Sequence, residues 1–362
     1  MQHPAPDRAR QRGCIKNAFQ FFPPQIKTSM PSVDLTGLDG SLQVRRDGAR
    51  SLFTKRMIDG WGQLSGFQKL RTADELVLGS LTGRTLLQPG AKGTFNPKEN
   101  ALKIEARIAK VRPAKIDLLI GQKEARALQS TYWAQVEGHN AKNPEDYMFA
   151  DHVWQWIIDQ TGVDVLNAVW MGVLNSTGTN PEDVVNGILT MIDNDIETDA
   201  IPETMILTHS QADFFLEQDN IIQEMIDLTK IFKTRLPAYA NKPATLRCAP
   251  ERASEYEFAV LEKYGDKNIY NAFNQPVLFW SKNIAVEPVL AWAGTDTMTI
   301  TPDENLVFVS DRTEEGIQLD TDYSKRDRSI AIVGDMNFTP NYHRSDLIAT
   351  NDLRARPVNA GV

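Results

Sequence analysis

Cysteine is nearly absent from the sequence: Cys14 and Cys248 are the only two in 362 residues, and they lie far apart. That count excludes a disulfide framework and fits synthesis in a reducing, cytoplasmic compartment. Long apolar runs are missing as well. No stretch approaches the roughly 18 residues that cross a membrane. The first 29 residues contain "AFQFF" but no continuous apolar core of signal-peptide length. Local catalytic signatures are also lacking, with no GxSxG, HExxH or GxGxxG. "GSLTGRT" (Gly79 to Thr85) is one residue short of a phosphate loop and carries Arg84 where lysine is required. His3, His139, His152, His209 and His343 have no Cys or His partner at metal-ligand spacing. "DNDIET" from Asp193 and "LDTDYSKRD" around Asp320 offer alternating oxygen ligands but not the glycine and distal glutamate of a calcium loop. No catalytic residue, cofactor or metal is therefore expected. Cys248 reads as a buried free thiol, and Trp154, Trp156 and Trp170 read as helix packing.

What is present is an ordinary globular composition with an uneven distribution of charge. At 41% hydrophobic and 24% charged, the chain has enough apolar material for a core without staples, and its length points to about two domains. The net charge of −8 argues against a dedicated nucleic-acid binder. Two segments run against that sign. The N-terminus carries Arg8, Arg10, Arg12, Lys16 and Lys27 against Asp7 alone. Between Leu86 and Gly121 lie Lys92, Lys98, Lys103, Arg107, Lys110, Arg112 and Lys115, faced only by Glu99, Glu105 and Asp117. Conversely, Ser176 to Thr229 holds twelve Asp or Glu and no Lys or Arg. That bias is either a solvated acidic face or a complement to the basic segment of a neighbouring subunit. Asp193, Asp195, Glu197 and Asp199 are the candidate complement.

The basic segment has strand periodicity. Ile104, Ala106 and Ile108 alternate with Lys103, Glu105 and Arg107, after a turn cluster that runs from Pro89 to Pro97. This predicts a long β-hairpin within residues 76–128. A two-stranded ribbon is marginal alone, so it must lie on something. The strongest helix follows: Asn143 as cap, Pro144 at the first position, acidic residues in the first turn, and an apolar face through Phe149, Val153, Trp156, Ile157, Val163, Leu166 and Trp170. Pro144 to Leu174 would span roughly 46 Å, with Gly162 and Gly172 as places to bend or split. Further helices are expected from Pro181 and after Ser210, and a short strand at "ETMILTH". Residues 230–275 show no clear pattern. Strands return at "PVLFWS", "NIAVEPVLAWA", "TMTITP" and "NLVFVSD", then at Ile330–Val333 and Asp346–Thr350.

This order of elements resembles the major capsid (coat) proteins of tailed bacteriophages, the Hong-Kong-ninety-seven-type fold. The most family-like text is Asn283 to Gly316, in which Thr301, Pro302, Asn305, Leu306 and Asp311 match a turn leading into a strand that ends in Asp. The resemblance implies an α+β fold: an N-terminal arm (1–75), an extended β-loop (76–128), a peripheral domain with the spine helix (129–180), an axial domain (181–329), and return strands with a tail (330–362). It also implies a non-enzymatic shell subunit. That subunit would form homo-pentamers and homo-hexamers of an icosahedral head around double-stranded DNA, without membrane association. It would be made in the host bacterial cytoplasm and end in the virion. The leader is too short to be an internal scaffold, so a separate scaffolding protein is expected, with a portal and decoration proteins as further partners. Lys92, Lys98 and Lys103 are loop lysines and Asn351 a late asparagine, as in members that cross-link, but nothing in the sequence indicates that they react. A bacterial encapsulin shell shares the architecture and is the first alternative. A cytosolic α+β enzyme with a site assembled from distant residues is the second.

Overall fold

A computed structural model describes residues 38–43, 45, 64, 66–83, 102–128, 130, 149–209, 216–265, 269–271, 275–311 and 318–352. All of them fall in one unit, Asp34–Val362. Its frame is a single long strand, β12 (Ser329–Tyr342), to which three others attach. The first half of β12 pairs antiparallel with β11 (Gln318–Ser324) on one side and with β4 (Arg112–Ile120) on the other. Its last residues pair with β10 (Leu306–Ser310), and β1 (Gln68–Arg71) lies parallel to β10. Ile330, Ile332, Met336 and Phe338 share the buried face at strand period, and the Phe338 ring stacks on Phe308 at 5.8 Å. Pro113 in β4 is tolerated because β4 pairs with β12 alone and needs no donor on its outer side.

A second, six-stranded sheet runs in the order β5 (Ile206–Leu207), β13 (Ala349–Asn351), β9 (Met298–Pro302), β6 (Ala244–Cys248), β8 (Ser281–Pro288), β7 (Val277–Leu278). Helices α5 (Ile221–Arg235) and α6 (Pro250–Tyr264) pack on it. The strand and helix at 244–264 occupy the segment that shows no clear pattern in sequence. The reason is visible in β6: Thr245 and Arg247 are buried on a strand with no exposed residue, Thr245 hydrogen-bonded to Asp303 and Arg247 ion-paired with Glu287. Polar residues in a fully buried strand erase its apolar run. "LDTDYSKRD" is likewise not a loop. It is β11 and the turn of the β11–β12 hairpin, where the Ser324 hydroxyl bonds Asp327 at 3.0 Å.

The long helix is α3 (Phe149–Met171), 23 residues or about 34 Å. The expected cap at Asn143 lies outside the described residues. Trp154, Ile157, Ile158, Val165, Val169 and Trp170 are buried, and Trp156 and Val163 face outward, so the apolar face is rotated from the expected one. Apolar residues occur almost all round this helix, which blurs its amphipathic signal. Trp170 makes edge contacts with Phe67 (5.2 Å) and Trp292 (5.5 Å). The Trp154 indole N–H donates to the Leu42 carbonyl of the helical residues 38–43 (α1) at 3.3 Å. A further helical stretch, α2, covers 122–128.

Gly162 does not split α3, whereas Gly172 ends it. A Cβ on Gly172 would stand 2.3 Å from the Val185 carbonyl, and one on Gly187 would stand 2.5 Å from the Gly172 nitrogen. The chain crosses itself there, closed by the Gly187 N–H donating to the Gly172 carbonyl at 2.8 Å. That crossing launches α4 (Ile188–Glu197), seven residues later than the helix expected from Pro181, where the chain makes only a short 3-10 turn, Pro181–Asp183. Gly172→Ala should therefore destabilise the fold by about 1–3 kcal/mol through backbone displacement, read as a fall in thermal midpoint. An unchanged midpoint would show that the crossing is not tight.

Candidate assembly surfaces

The described residues contain an antiparallel hairpin pair, and residues 84–101 between its strands lie outside them. β2 (Glu75–Gly83) pairs antiparallel with β3 (Leu102–Lys110), and Val111 then carries the chain into β4 of the larger sheet, its N–H donating to the Asp74 carbonyl at 2.9 Å. Arg112 and Lys115 are thus corrected: they belong to β4, beside β12, and not to the hairpin. Lys115 pairs locally with Asp117, and both side chains are more than half exposed. Lys92 and Lys98 lie outside the described residues, as do Arg8, Arg10 and Arg12. Lys103 lies on β3, opposite Thr82. Lys110 forms an exposed ion pair with Glu75 at 2.7 Å.

Register decides which face of the ribbon turns inward. Leu76 sits opposite Ala109, and Leu78 opposite Arg107, so these four share one face. Leu78 and Ala109 are buried with Val111, Val307 and Val309, and Leu76 packs at the edge of that cluster. The other face carries Val77 opposite Ile108 and Gly79 opposite Ala106, with Ile104 further along β3. Val77, Ile104 and Ile108 are 63%, 69% and 61% exposed. The alternation read from the sequence is present, yet its apolar side, Ile104–Ala106–Ile108, faces solvent, and Arg107 on the other side faces the subunit. Normal strand patterning puts the apolar side inward.

Arg107 explains the inversion. Its guanidinium donates through Nε to the Asn341 Oδ1 at 2.8 Å and through one terminal nitrogen to Asp195 Oδ2 at 2.5 Å. It also lies over the Tyr342 ring, 4.1 Å from the centroid. The Tyr342 hydroxyl donates to the same Asp195 oxygen at 2.6 Å. Burial pushes the Tyr342 phenol well above its usual range, with the Arg107 charge pulling the other way, so it stays a neutral donor. Arg107 and Asp195 were expected to meet across a subunit boundary; they meet within one chain, where α4, β3 and β12 converge. Asp193 is half-buried on α4, and Glu197 and Asp199 are exposed at and beyond its end. Asn341 and Tyr342 carried no sequence signal, since they lie 234 and 235 residues from Arg107.

Elsewhere the described residues show little chemistry. An open cleft of about 1060 Å³ includes Arg247, Glu287, Asp303 and His343. Several of its polar groups are engaged in the walls, while Arg247 Nε and one of its terminal nitrogens are buried without a hydrogen-bond partner. Arg247 Nε lies 2.9 Å from Glu287 at an angle outside hydrogen-bond geometry, Thr245 bonds Asp303, and His343 Nε2 lies 2.7 Å from the Gln68 side-chain oxygen. Burial pushes the Cys248 thiol up to about 12, which leaves it protonated and inert. Among the described residues, no group of three His, Cys, Asp or Glu is placed to hold a metal ion, and no helix is long and apolar enough to cross a membrane.

No protein-family model matches the sequence, and no curated protein matches it. Solved structures do match. A chain of the satellite phage P4 procapsid, a structure that includes the size-determination protein Sid, is 14% identical with a TM-score of 0.51 over 82% of this chain and 98% of that one. The capsid of Myoviridae phage XM1 is 11% identical with a TM-score of 0.49, covering 82% of this chain and 90% of that one. The holo-SrpI encapsulin complex from Synechococcus elongatus is 8% identical with a TM-score of 0.46, covering 83% and 90%. The fold is that of phage capsid proteins, a mixed α+β chain of the Hong-Kong-ninety-seven type.

The cluster at Arg107 generates a direct test. Arg107→Met keeps the aliphatic stem and removes the charge, leaving Asp195 without its cation in a largely buried site. A loss of about 2–4 kcal/mol is expected in denaturant unfolding, with faster amide exchange along β2 and β3. Asp195→Asn should cost less, because its amide oxygen still accepts from Arg107. Equal, negligible effects would place the hairpin's attachment elsewhere.

Proposed function

We propose that this chain, which has the phage capsid-protein fold, is the major capsid protein of a tailed phage. In this reading it assembles into pentamers and hexamers that close an icosahedral head around double-stranded DNA. The observation that carries the reading is the outward apolar stripe of the hairpin. A ribbon with one face anchored on the subunit and Val77, Ile104 and Ile108 presented to solvent has apolar surface that a further chain can bury. Burying each of these side chains is worth about 1.5–3 kcal/mol, enough in combination to drive a repeated contact. The next copy of the same chain supplies the partner, because a ring repeats one heterologous contact until it closes.

The charge pattern takes a smaller part than sequence implies. Arg107 and Asp195 are committed within the subunit, so they leave the interface. Lys92, Lys98 and Lys103 remain the inter-subunit candidates of the hairpin, with Glu197 and Asp199 as exposed acidic complement. Arg8, Arg10 and Arg12 suit non-specific contact with phosphate on the inner face. A separate scaffolding protein, a portal and decoration proteins complete the expected partners, and the mature location is the virion. The fold also suits an encapsulin-type nanocompartment, which differs in what it encloses.

The experiment is assembly of the purified chain, alone and with its neighbouring scaffold gene, viewed by negative-stain electron microscopy with light scattering. Wild type should form shells or five- and six-membered rings. Ile104→Asp with Ile108→Asp should keep the circular dichroism spectrum and form none. Shells from the double variant would overturn the role of the stripe. Nuclease-protected DNA inside particles from infected cells supports the phage reading, and an enclosed enzyme replaces it with the nanocompartment.

A further inference from the structure

A second polar cluster lies far from the hairpin, at the edge of the six-stranded sheet. β5 and β13 run parallel there, with Ile206 beside Thr350 and Leu207 beside Asn351. His209 follows β5 and Asp352 follows β13. The Asp352 N–H donates to the Leu207 carbonyl at 3.1 Å, and the His209 N–H donates to Asp352 Oδ2 at 2.8 Å. The imidazole then bridges two carboxylates: Nδ1 lies 2.5 Å from Asp352 Oδ1, and Nε2 lies 2.9 Å from Glu224 Oε2 on the first turn of α5. The His209 and Glu224 side chains are 10% and 7% exposed, and the second Glu224 oxygen is buried without a partner.

This geometry requires a proton beyond the usual complement. A neutral imidazole carries one N–H and one lone pair. With a carboxylate against each nitrogen, one lone pair would face another across a buried gap. Either the ring is an imidazolium between two carboxylates, or one carboxyl is protonated and donates to the ring. In both states the cluster holds one proton that the separated groups lose near neutrality. The tendencies of the groups agree. Burial opposes the His209 charge, but the bonds to Asp352 and Glu224 prevail and its pKa rises above the ordinary value. Burial raises the Glu224 carboxyl, opposed in part by His209. Among the described residues, the further charge acting on Glu224 is Asp227, one turn along α5, which is itself paired with Lys230 at 2.7 Å. No cation other than His209 is among the groups acting on Glu224. Among the described residues, these three groups are not placed to hold a metal ion.

We propose that His209, Glu224 and Asp352 form a proton-held clasp that fastens the edge strand β5 and the end of β13 to α5, and that opens when the proton is lost. The sign follows from linkage. Folding raises both pKa values, so the stabilisation is full below the ordinary histidine range and disappears as pH rises through the folded value. β5 has two residues and β13 three, so few ladder bonds hold this edge once the clasp opens. The clasp is a property of the subunit and holds whether or not the chain builds a shell.

The test is hydrogen–deuterium exchange on the full chain between about pH 5.5 and 8.5, across the ordinary histidine range, corrected for intrinsic exchange. Protection of the His209 and Asp352 amides should fall with rising pH by up to about tenfold per unit above the midpoint, while α3 stays level. Glu224→Gln offers Nε2 an amide N–H and removes the need for the extra proton. Its profile at these amides should be flat. Asp352→Asn serves the same purpose at Nδ1 if the first variant fails to fold. In the wild type, the His209 ring titration followed by nuclear magnetic resonance should have a midpoint above the ordinary histidine value. Flat wild-type protection, an ordinary His209 midpoint, or a Glu224→Gln profile with the wild-type slope would each overturn the clasp.

Discussion

Arg107 leaves β3 on the face that lies against the subunit, and the position of the hairpin depends on what it meets there. A guanidinium brought into a largely buried site must recover its lost hydration through bonds of good geometry. Asn341, Asp195 and the face of Tyr342 supply them at 2.8, 2.5 and 4.1 Å. The Tyr342 hydroxyl, on the same Asp195 oxygen, completes the network. Such a network is a source of specificity more than of net stability, because its Coulomb gain is offset by desolvation. Its consequence is geometric. With Arg107 turned inward, Ile104, Ala106 and Ile108 must turn outward, since side chains alternate along a strand.

That constraint links folding to assembly. A monomeric protein would bury the isoleucines and expose the arginine. Here a charged anchor and a small apolar patch, Leu78 with Ala109, Val307 and Val309, hold the base of the ribbon, and Val77, Ile104 and Ile108 stay exposed. On the proposed function, that exposed face is what a neighbouring copy would cover, and the ribbon looks underbuilt in isolation for that reason. The β12 strand makes this possible. It receives β4 directly from the hairpin, carries Asn341 and Tyr342 at its far end, and so registers the ribbon, the main sheet and α4 against one another.

The same economy appears at the other edge of the molecule. Two very short strands are fastened by a bridging imidazole in place of a longer ladder. Both clusters join segments more than a hundred residues apart: Arg107 to Asn341, and His209 to Asp352. Both place a nitrogen-bearing side chain between oxygen-bearing partners in a largely buried site, where the strength of each bond depends on full partnership.

Period, turn chemistry and charge distribution, all local properties, made much of the architecture legible in the sequence. Ile104 to Ile108 announced a strand, Phe149 to Trp170 a long helix, and Leu306 to Ser310 a buried strand. The absence of motif-level chemistry and the order of elements were enough to point to a capsid-type fold. The sequence did not reveal β6 and α6, because buried Thr245 and Arg247 break the apolar run that marks a strand. It did not reveal that Gly172, not Gly162, ends the long helix, because the clash is with a carbonyl from another turn of the chain. Least legible was which side of the hairpin faces in. Alternation fixes that two faces exist, but the choice between them depends on where Asp195, Asn341 and Tyr342 arrive in space. That arrival is a matter of tertiary packing, because the groups that meet at Arg107 come from a helix and a strand 88 to 235 residues further along the chain.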